Sequence, residues 1–372
     1  MNKILILSNS AGGLYSFRIE LIVELLNQGH DVYFVVPQPA ENKKVKLIVN
    51  TGAKHIQIEM NRRGKNPFGE LKLINDYKRV IKEVAPDVIL TYTIKPNIYG
   101  SYVANKFKVP VIMNITGLGS SFANEKLKIV VKRMYKYACD KAEVIFFQNK
   151  SNQDFFIVNN LVDEAKAKLI PGSGVNVEKF VPMEKTVKDD VIRFLFIGRI
   201  MKEKGIEEYL QAAETITNKY PNVEFQILGS FVEEGYKDII LHKTNEKIRY
   251  LGSSYDVRKE IKEIDCIVHP SYHEGMSNVL LEGAAMGKPL IASDIPGCRE
   301  IIEDGYNGYL FNVKSVKSLE QKLVQFIELD KKSRELMGIN SRKKVEREFD
   351  RSIVIDAYIK AIDSILKKGD MK

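Results

Sequence analysis

Glu274 and Glu282 stand eight positions apart in the run Tyr272-His273-Glu274-Gly275-Met276-Ser277-Asn278-Val279-Leu280-Leu281-Glu282. The first follows the apolar stretch Cys266-Ile267-Val268 in a glycine-containing loop. The second falls one turn into a helix that Ser277 can cap. A helix N-terminus offers unpaired N–H groups to phosphate, and carboxylates accept hydrogen bonds from sugar hydroxyls. A strand, a tight loop, a helix start and an acid on that helix therefore suit a phosphorylated sugar.

A second candidate is Phe194-Leu195-Phe196-Ile197-Gly198-Arg199-Ile200-Met201-Lys202-Glu203-Lys204-Gly205. Arg199 follows a strand-like run directly, and Lys204 opens the next helix. Two cations five apart at a strand end can clamp a diphosphate, Arg199 with bidentate geometry. Standing alone, the stretch equally describes a solvated loop with two surface cations. In the first half, Ser8-Asn9-Ser10-Ala11-Gly12-Gly13 links a strand to a helix, and its glycines permit close backbone approach to a ligand. It is not Gly-x-Gly-x-x-Gly, so the dinucleotide fingerprint is absent. Thr116-Gly117-Leu118-Gly119-Ser120-Ser121 is another permissive strand-end loop, and either glycine loop also reads as a plain tight turn.

These loops need a scaffold, and the apolar pattern supplies it. Strand-like runs occur at Lys3–Ser8, Asp31–Pro37, Asp87–Tyr92, Val109–Ile115 and Val144–Gln148, separated by helical patterns such as Phe17–Asn27 and Asn97–Lys106. The scheme restarts with Arg193–Gly198, Val223–Gly229, Ile248–Gly252, Cys266–Ser271 and Pro289–Ser293. Strands alternating with helices mean parallel sheets covered on both faces. Two such series predict two doubly wound α/β domains, at 1–180 and 191–350, with a C-terminal helix at 351–372 that packs back on the first. Their joint is the polar stretch Val177–Val191, and ligands bind beyond the strands' C-terminal ends.

The 372 residues are 44% apolar and 28% charged, as in an ordinary soluble protein. No apolar run is long enough to span a membrane, and Met1-Asn2-Lys3 leads straight into a strand-like run, so a cytoplasmic protein without a secretory leader is expected. Cys139, Cys266 and Cys298 are too scattered for a disulfide framework or a zinc site. The net charge of +9 is uneven: residues 1–180 hold 26 Lys+Arg against 16 Asp+Glu, leaving 31 against 32 for the rest. The first half should therefore meet something anionic. Charge alone would also admit a nucleic-acid binder, but no zinc, RNP or repeat signature accompanies it.

Together these stretches resemble the retaining glycosyltransferases of family 4, which have the GT-B fold of two Rossmann-like domains facing an interdomain cleft. The likeness covers nearly the whole chain and is most specific in Phe196–Gly205 and Pro270–Gly297. The family's E-x7-E pair falls on Glu274 and Glu282. Thr93-Ile94-Lys95-Pro96-Asn97 and Ile115-Thr116-Gly117-Leu118-Gly119 look like the subgroup that builds capsule, O-antigen and N-glycan precursors on undecaprenyl diphosphate.

The resemblance implies a UDP-sugar donor and a polyprenyl-diphosphate-linked acceptor. Arg199 and Lys204 would hold the donor diphosphate, Glu274 the donor sugar and Glu282 the ribose. Gly198, Gly275 and the amides of Met276, Ser277 and Asn278 would line that donor site, with Gly12 and Gly13 closing over the diphosphate. Many relatives carry a His in the loop occupied here by Thr116–Ser121. None of His30, His55, His242, His269 and His273 lies there, so no general base is assigned, and His273 reads as a solvent-side loop residue.

On the same reading no enzyme nucleophile is needed, and the two acids bind; they are not the acid/base pair of a retaining hydrolase. No Asp-x-Asp sequence occurs, and cations with a helix dipole can neutralise the diphosphate, so metal-independent transfer with no cofactor is expected. The acceptor and an anionic membrane surface are expected against the basic first half. Asn124–Lys141 reads as an amphipathic helix, with Leu127, Val130, Val131, Met134 and Ala138 on one face and Lys128, Lys132 and Lys136 on another beside Arg133. Arg62, Arg63, Lys65, Lys95, Asn97 and Gly117 are further acceptor-side candidates. These features predict a peripheral protein on the inner face of the cytoplasmic membrane. A sugar-nucleotide epimerase of the same fold is the competing enzyme reading.

Overall fold

A computed structural model describes residues 1–61, 67–117, 125–187 and 189–370. The chain divides into two compact units: Met1–Ser173 with Ser352–Lys372, and Gly174–Arg351.

In the first unit the described strands are β1 (Lys3–Leu7), β2 (Asp31–Val36), β3 (Lys54–Gln57), β4 (Val88–Tyr92), β5 (Val111–Ile115), β6 (Val144–Phe147) and β7 (Ala167–Leu169). They form one sheet in the order β3-β2-β1-β4-β5-β6-β7, with every pairing parallel. The second unit has β8 (Ile192–Ile197), β9 (Val223–Leu228), β10 (Ile248–Tyr250), β11 (Cys266–His269), β12 (Leu290–Ser293) and β13 (Gly308–Phe311), in the order β10-β9-β8-β11-β12-β13, again all parallel.

Alternation along each strand supplies two cores per sheet. Phe194 and Phe196 of β8 join one apolar cluster while Leu195 and Ile197 join the one on the opposite face. Ile4 and Ile6 of β1 likewise face away from Leu5 and Leu7. Both faces are covered, so the strands read as nearly continuous apolar runs. In each sheet the strand order reverses at one place, between β1 and β4 and between β8 and β11, and doubly wound folds bind ligands in the crevice there.

The domain joint and one helix differ from the sequence reading, while the C-terminal helix packs on the first unit as expected. The polar joint at 177–191 belongs to the second unit, because Val175 bridges Asp350 and both Val175 and Phe180 are buried in that unit's core. Pro182 and the charges around it interrupt the apolar period without separating the segment from its core. The last helix, Arg351–Asp370, buries Val354, Tyr358 and Ile362 in the core of the first unit. Asn97–Lys106 is not one α-helix: Pro96–Gly100 forms a π-helical turn, and Ser101–Lys106 continues it.

Candidate active site

The reversal point of the second unit gathers the two loops that the sequence singled out. Gly198 and Arg199 follow β8, and Pro270 to Glu274 follow β11, its neighbour. Tyr272 N donates to Glu203 O at 2.9 Å, stitching the loops together. Gly205 makes this approach possible. It is left-handed (φ +72°), ends the short 3-10 turn Lys202–Lys204, and a Cβ there would lie 2.1 Å from Pro270 O. Only glycine tolerates both the dihedral and the contact.

Lys204 is thereby brought against Glu274, and its Nζ donates to Glu274 Oε1 and also reaches Ser271 Oγ at 3.4 Å. His269, the last residue of β11 and 3% exposed, places Nε2 2.9 Å from the same Oε1. Burial, the largest single influence, would raise the Glu274 carboxyl, but His269 and Lys204 together hold it down at about 2. It is therefore ionised and accepts, so His269 Nε2 carries the hydrogen. Oε2 has no partner among the described residues.

Behind the loop, Gly297 (φ +86°) packs so closely that a Cβ would meet Gly275 O at 2.9 Å and Glu274 Cβ at 3.0 Å. The carbonyl of Gly297 accepts from Ser277 N at 2.9 Å, so the Ser277 amide is not the ligand donor expected of it. Ser277 instead caps the helix Asn278–Ala285, its Oγ accepting from Leu280 N at 3.3 Å. The Met276 and Asn278 amides remain unpaired donors at that end among the described residues, while Gly275 has a partner of its own.

Glu282 lies one turn along, half-buried, its carboxylate making no hydrogen bond or ion pair among the described residues. Burial raises its carboxyl to about 7, with Arg351 and Lys179 pulling down and Asp256 pushing up. Arg199 is exposed and likewise unpaired among the described residues. Gly198 stands beside it, its carbonyl pressed against Gly229, where a Cβ would lie 1.7 Å away. An exposed guanidinium, an ammonium shared with a carboxylate, free helix-start amides and two acids suit a nucleoside diphosphate carrying a sugar.

Comparison with known proteins agrees. Residues 179–344 match the family described as glycosyl transferases group 1, and residues 3–149 match glycosyl transferase 4-like. The chain belongs to the family 4 glycosyltransferases. It is 29% identical to the N,N'-diacetylbacillosaminyl-diphospho-undecaprenol alpha-1,3-N-acetylgalactosaminyltransferase of Campylobacter jejuni, over 97% of this chain and 98% of that one. It is 28% identical to the UDP-Gal:alpha-D-GlcNAc-diphosphoundecaprenol alpha-1,3-galactosyltransferase of Escherichia coli, over 79% of this chain and 77% of that one. A glycosyltransferase structure from Rickettsia africae superposes with a TM-score of 0.80 at 22% identity, covering 98% of this chain and 99% of that one, which fixes the GT-B fold. The epimerase alternative finds no support in these relatives.

In the first unit the glycosyltransferase departs from several sequence expectations. Gly12 and Gly13 are not in a free loop but in the first turn of the helix Ala11–Asn27, and the Gly13 amide donates to the capping Ser10 Oγ at 3.2 Å. Lys95 is tied to Glu70 and to Asn61 O, and Asn97 is buried, donating to Asn114 O at 2.8 Å. Both side chains are engaged within the first unit around the β4 connection. Gly117 follows β5 with a positive φ (+154°), and residues 118–124 lie outside the described residues, as do Arg62, Arg63, Lys65 and the Lys128 side chain.

The helix Glu125–Lys141 keeps most of its expected apolar face inward, with Val131 and Met134 packed against the cluster that holds Ala138. Tyr135, Ala138 and Cys139 are buried, whereas Ile129 and Val130 are 58% and 54% exposed. Lys132 bonds Asn159 Oδ1 at 2.7 Å, Lys136 lies 3.5 Å from Asp140, and Arg133 is exposed without a partner among the described residues. No helix among the described residues is long and apolar enough to cross a membrane.

His269 is the member of this cluster that sequence reading missed. Nothing in its spacing from Glu274 announces a contact, because the turn at Pro270–His273 is what folds position 274 back onto it. His273, by contrast, is exposed as expected of a loop residue.

Proposed function

We propose that the enzyme transfers a hexose or N-acetylhexosamine, with retention at the anomeric carbon, from a UDP-sugar to a saccharide carried on undecaprenyl diphosphate, in bacterial surface polysaccharide or glycan assembly. The observation that carries this reading is the carboxylate of Glu274, kept ionised by His269 and Lys204 after β11, with Arg199 unpaired among the described residues at the end of the neighbouring β8. Arg199 and Lys204 offset the charge that grows on the departing UDP, and preorganised groups of this kind contribute about 10²–10³ in rate. Glu274 accepts from a sugar hydroxyl through Oε2, and Glu282 accepts from the ribose. A carboxyl held near 2 has no proton to give, so Glu274 orients the sugar and is not a general acid. The acceptor hydroxyl attacks the face that the diphosphate leaves, its proton passing to the leaving phosphate oxygen. The E. coli relative's name supports UDP as the nucleotide, and both relatives' names support the lipid diphosphate.

In this reading no metal takes part, and chelation with EDTA leaves turnover unchanged. The exposed Ile129 and Val130, beside Arg133, suit an anionic membrane surface on the cytoplasmic side. Flotation with phosphatidylglycerol vesicles should carry wild-type protein and release the Ile129→Glu/Val130→Glu variant; equal flotation of both would remove this helix from the membrane contact. The function itself is tested by incubating UDP-sugars with and without a polyprenyl-diphosphate-linked saccharide. Acceptor-dependent UDP release is expected, whereas conversion of the donor sugar without acceptor would restore the epimerase reading.

A further inference from the structure

Arg18 is a buried cation with no counter-charge among the described residues. It lies on the helix Ala11–Asn27 of the first unit, is 4% exposed, and pairs with no carboxylate among the described residues. Its Nη1 donates to the carbonyl of its own neighbour, Phe17 O, at 2.7 Å, and its Nε is buried with no acceptor among the described residues. The guanidinium lies over the rings of Tyr92 and Tyr358, 4.9 and 5.7 Å from their centroids. Buried charges are ordinarily paired. Aromatic faces return part of the lost hydration and both phenol oxygens lie within hydrogen-bonding reach of the guanidinium, but burial keeps both phenols protonated, so neither supplies negative charge.

The place is as informative as the charge. Tyr92 ends β4, which neighbours β1 where the sheet order reverses. Thr93, the next residue, is a β-branched residue in the left-handed region (φ +74°) with a buried Oγ1 that has no partner among the described residues. Such backbone strain persists only where surrounding structure enforces it, and it gathers at ligand sites. An orphan guanidinium nitrogen, an orphan hydroxyl and a strained residue thus meet at the carboxyl edge of one strand. A guanidinium fork matches a phosphate's oxygens.

We propose that Arg18 binds a phosphate group of the acceptor's lipid-linked diphosphate. The assignment rests on the transferase reading above, and it favours acceptor over donor because the candidate donor cations and the E-x7-E pair lie in the second unit. Arg18 lies in the half that carries the excess of 26 basic over 16 acidic residues. The competing role is structural, with Arg18 pinning Tyr358, and so the last helix, to the sheet.

Calorimetric titration of the full-length protein with geranyl diphosphate, alone and with saturating UDP, separates these roles. Wild type should bind geranyl diphosphate in both conditions, and Arg18→Gln should weaken it roughly 10- to 100-fold, the value of a charge-assisted hydrogen bond, with UDP affinity unchanged. Arg18→Lys, which keeps the charge without the fork, should lie between and covers the case in which Arg18→Gln does not fold. Undiminished geranyl diphosphate binding in a variant with a lowered melting temperature would make Arg18 a packing residue and overturn the proposal. Equal losses for UDP and geranyl diphosphate would move it to the donor and overturn it as well, as would wild type failing to bind the probe. Because the probe is also titrated without UDP, a failure of the donor reading leaves the test of Arg18 intact.

Discussion

His269 Nε2 lies 2.9 Å from the one oxygen of Glu274 that Lys204 also holds. Two donors on Oε1 fix the carboxylate's rotation and leave Oε2 without a partner among the described residues. Replacing His269 with Phe keeps the bulk and removes the donor. Loss of one charge-assisted hydrogen bond predicts a fall in kcat/KM for the UDP-sugar of about 10-fold or more, with UDP affinity little changed. Steady-state kinetics beside a UDP titration measures both.

Gly205 tests whether the contact between the loops is what assembles this cluster. Gly205→Ala sets a Cβ against Pro270 O in a left-handed residue, and the strain predicts destabilisation of about 1–3 kcal/mol. It should also part Lys204 from Glu274. The urea midpoint and kcat should fall together; a stable variant with normal turnover would show that the loops do not depend on this glycine.

Glu282 gives a pH signature with a definite sign. Its carboxyl keeps its proton up to about 7 in the folded protein but ionises near 4.5 in the unfolded chain. Between those values the folded state binds the extra proton, so Glu282 subtracts stability progressively as pH rises through that window. Glu282→Gln should therefore melt higher than wild type at pH 8 and equally at pH 4. The donor's KM should move the other way: in wild type it rises as pH drops below about 7 and the acceptor carboxylate is lost. In Glu282→Gln that dependence flattens. Thermal melts and kinetics across about pH 5–8 check both halves.

Arg199 stands exposed at the end of β8, unpaired among the described residues, so no contact there needs it. Arg199→Gln should leave the melting temperature unchanged while lowering kcat by roughly 10²–10³, the scale for losing a preorganised charge at a leaving group. A variant as active as wild type would return Arg199 to the solvated-loop reading.

Much of this architecture was legible in the sequence because buried parallel strands are apolar throughout. Ten strands stood out as β-branched runs, and the structure trims their ends by a residue or two. The strands not foreseen lie at sheet edges. Lys54–Gln57 and Ala167–Leu169 are short with exposed polar residues, and Gly308–Phe311 opens on a glycine whose Cβ would strike Leu290 O. Motif residues at strand ends were equally legible, since loops of fixed length follow strands of known direction. Side-chain partnerships were not. The claims of Gly297 on Ser277 N, Glu70 on Lys95 and His269 on Glu274 all depend on how separate loops or turns meet in space, which one-dimensional spacing does not carry. On the Glu125–Lys141 helix, Val130 was placed on the apolar face but is 54% exposed, while Tyr135, which the spacing did not single out, is buried against Phe156.

The mechanism turns on a division of labour between Glu274 and Glu282, and a comparison of UDP with the UDP-sugar that turns over tests it most directly. Calorimetry on wild type, Glu274→Gln and Glu282→Gln at about pH 8, where both carboxylates are ionised, supplies the dissociation constants for both ligands. Glu282→Gln should weaken UDP and UDP-sugar by the same factor, whereas Glu274→Gln should weaken only the UDP-sugar. Glu274→Gln weakening both ligands alike, or Glu282→Gln leaving UDP unaffected, would refute that division.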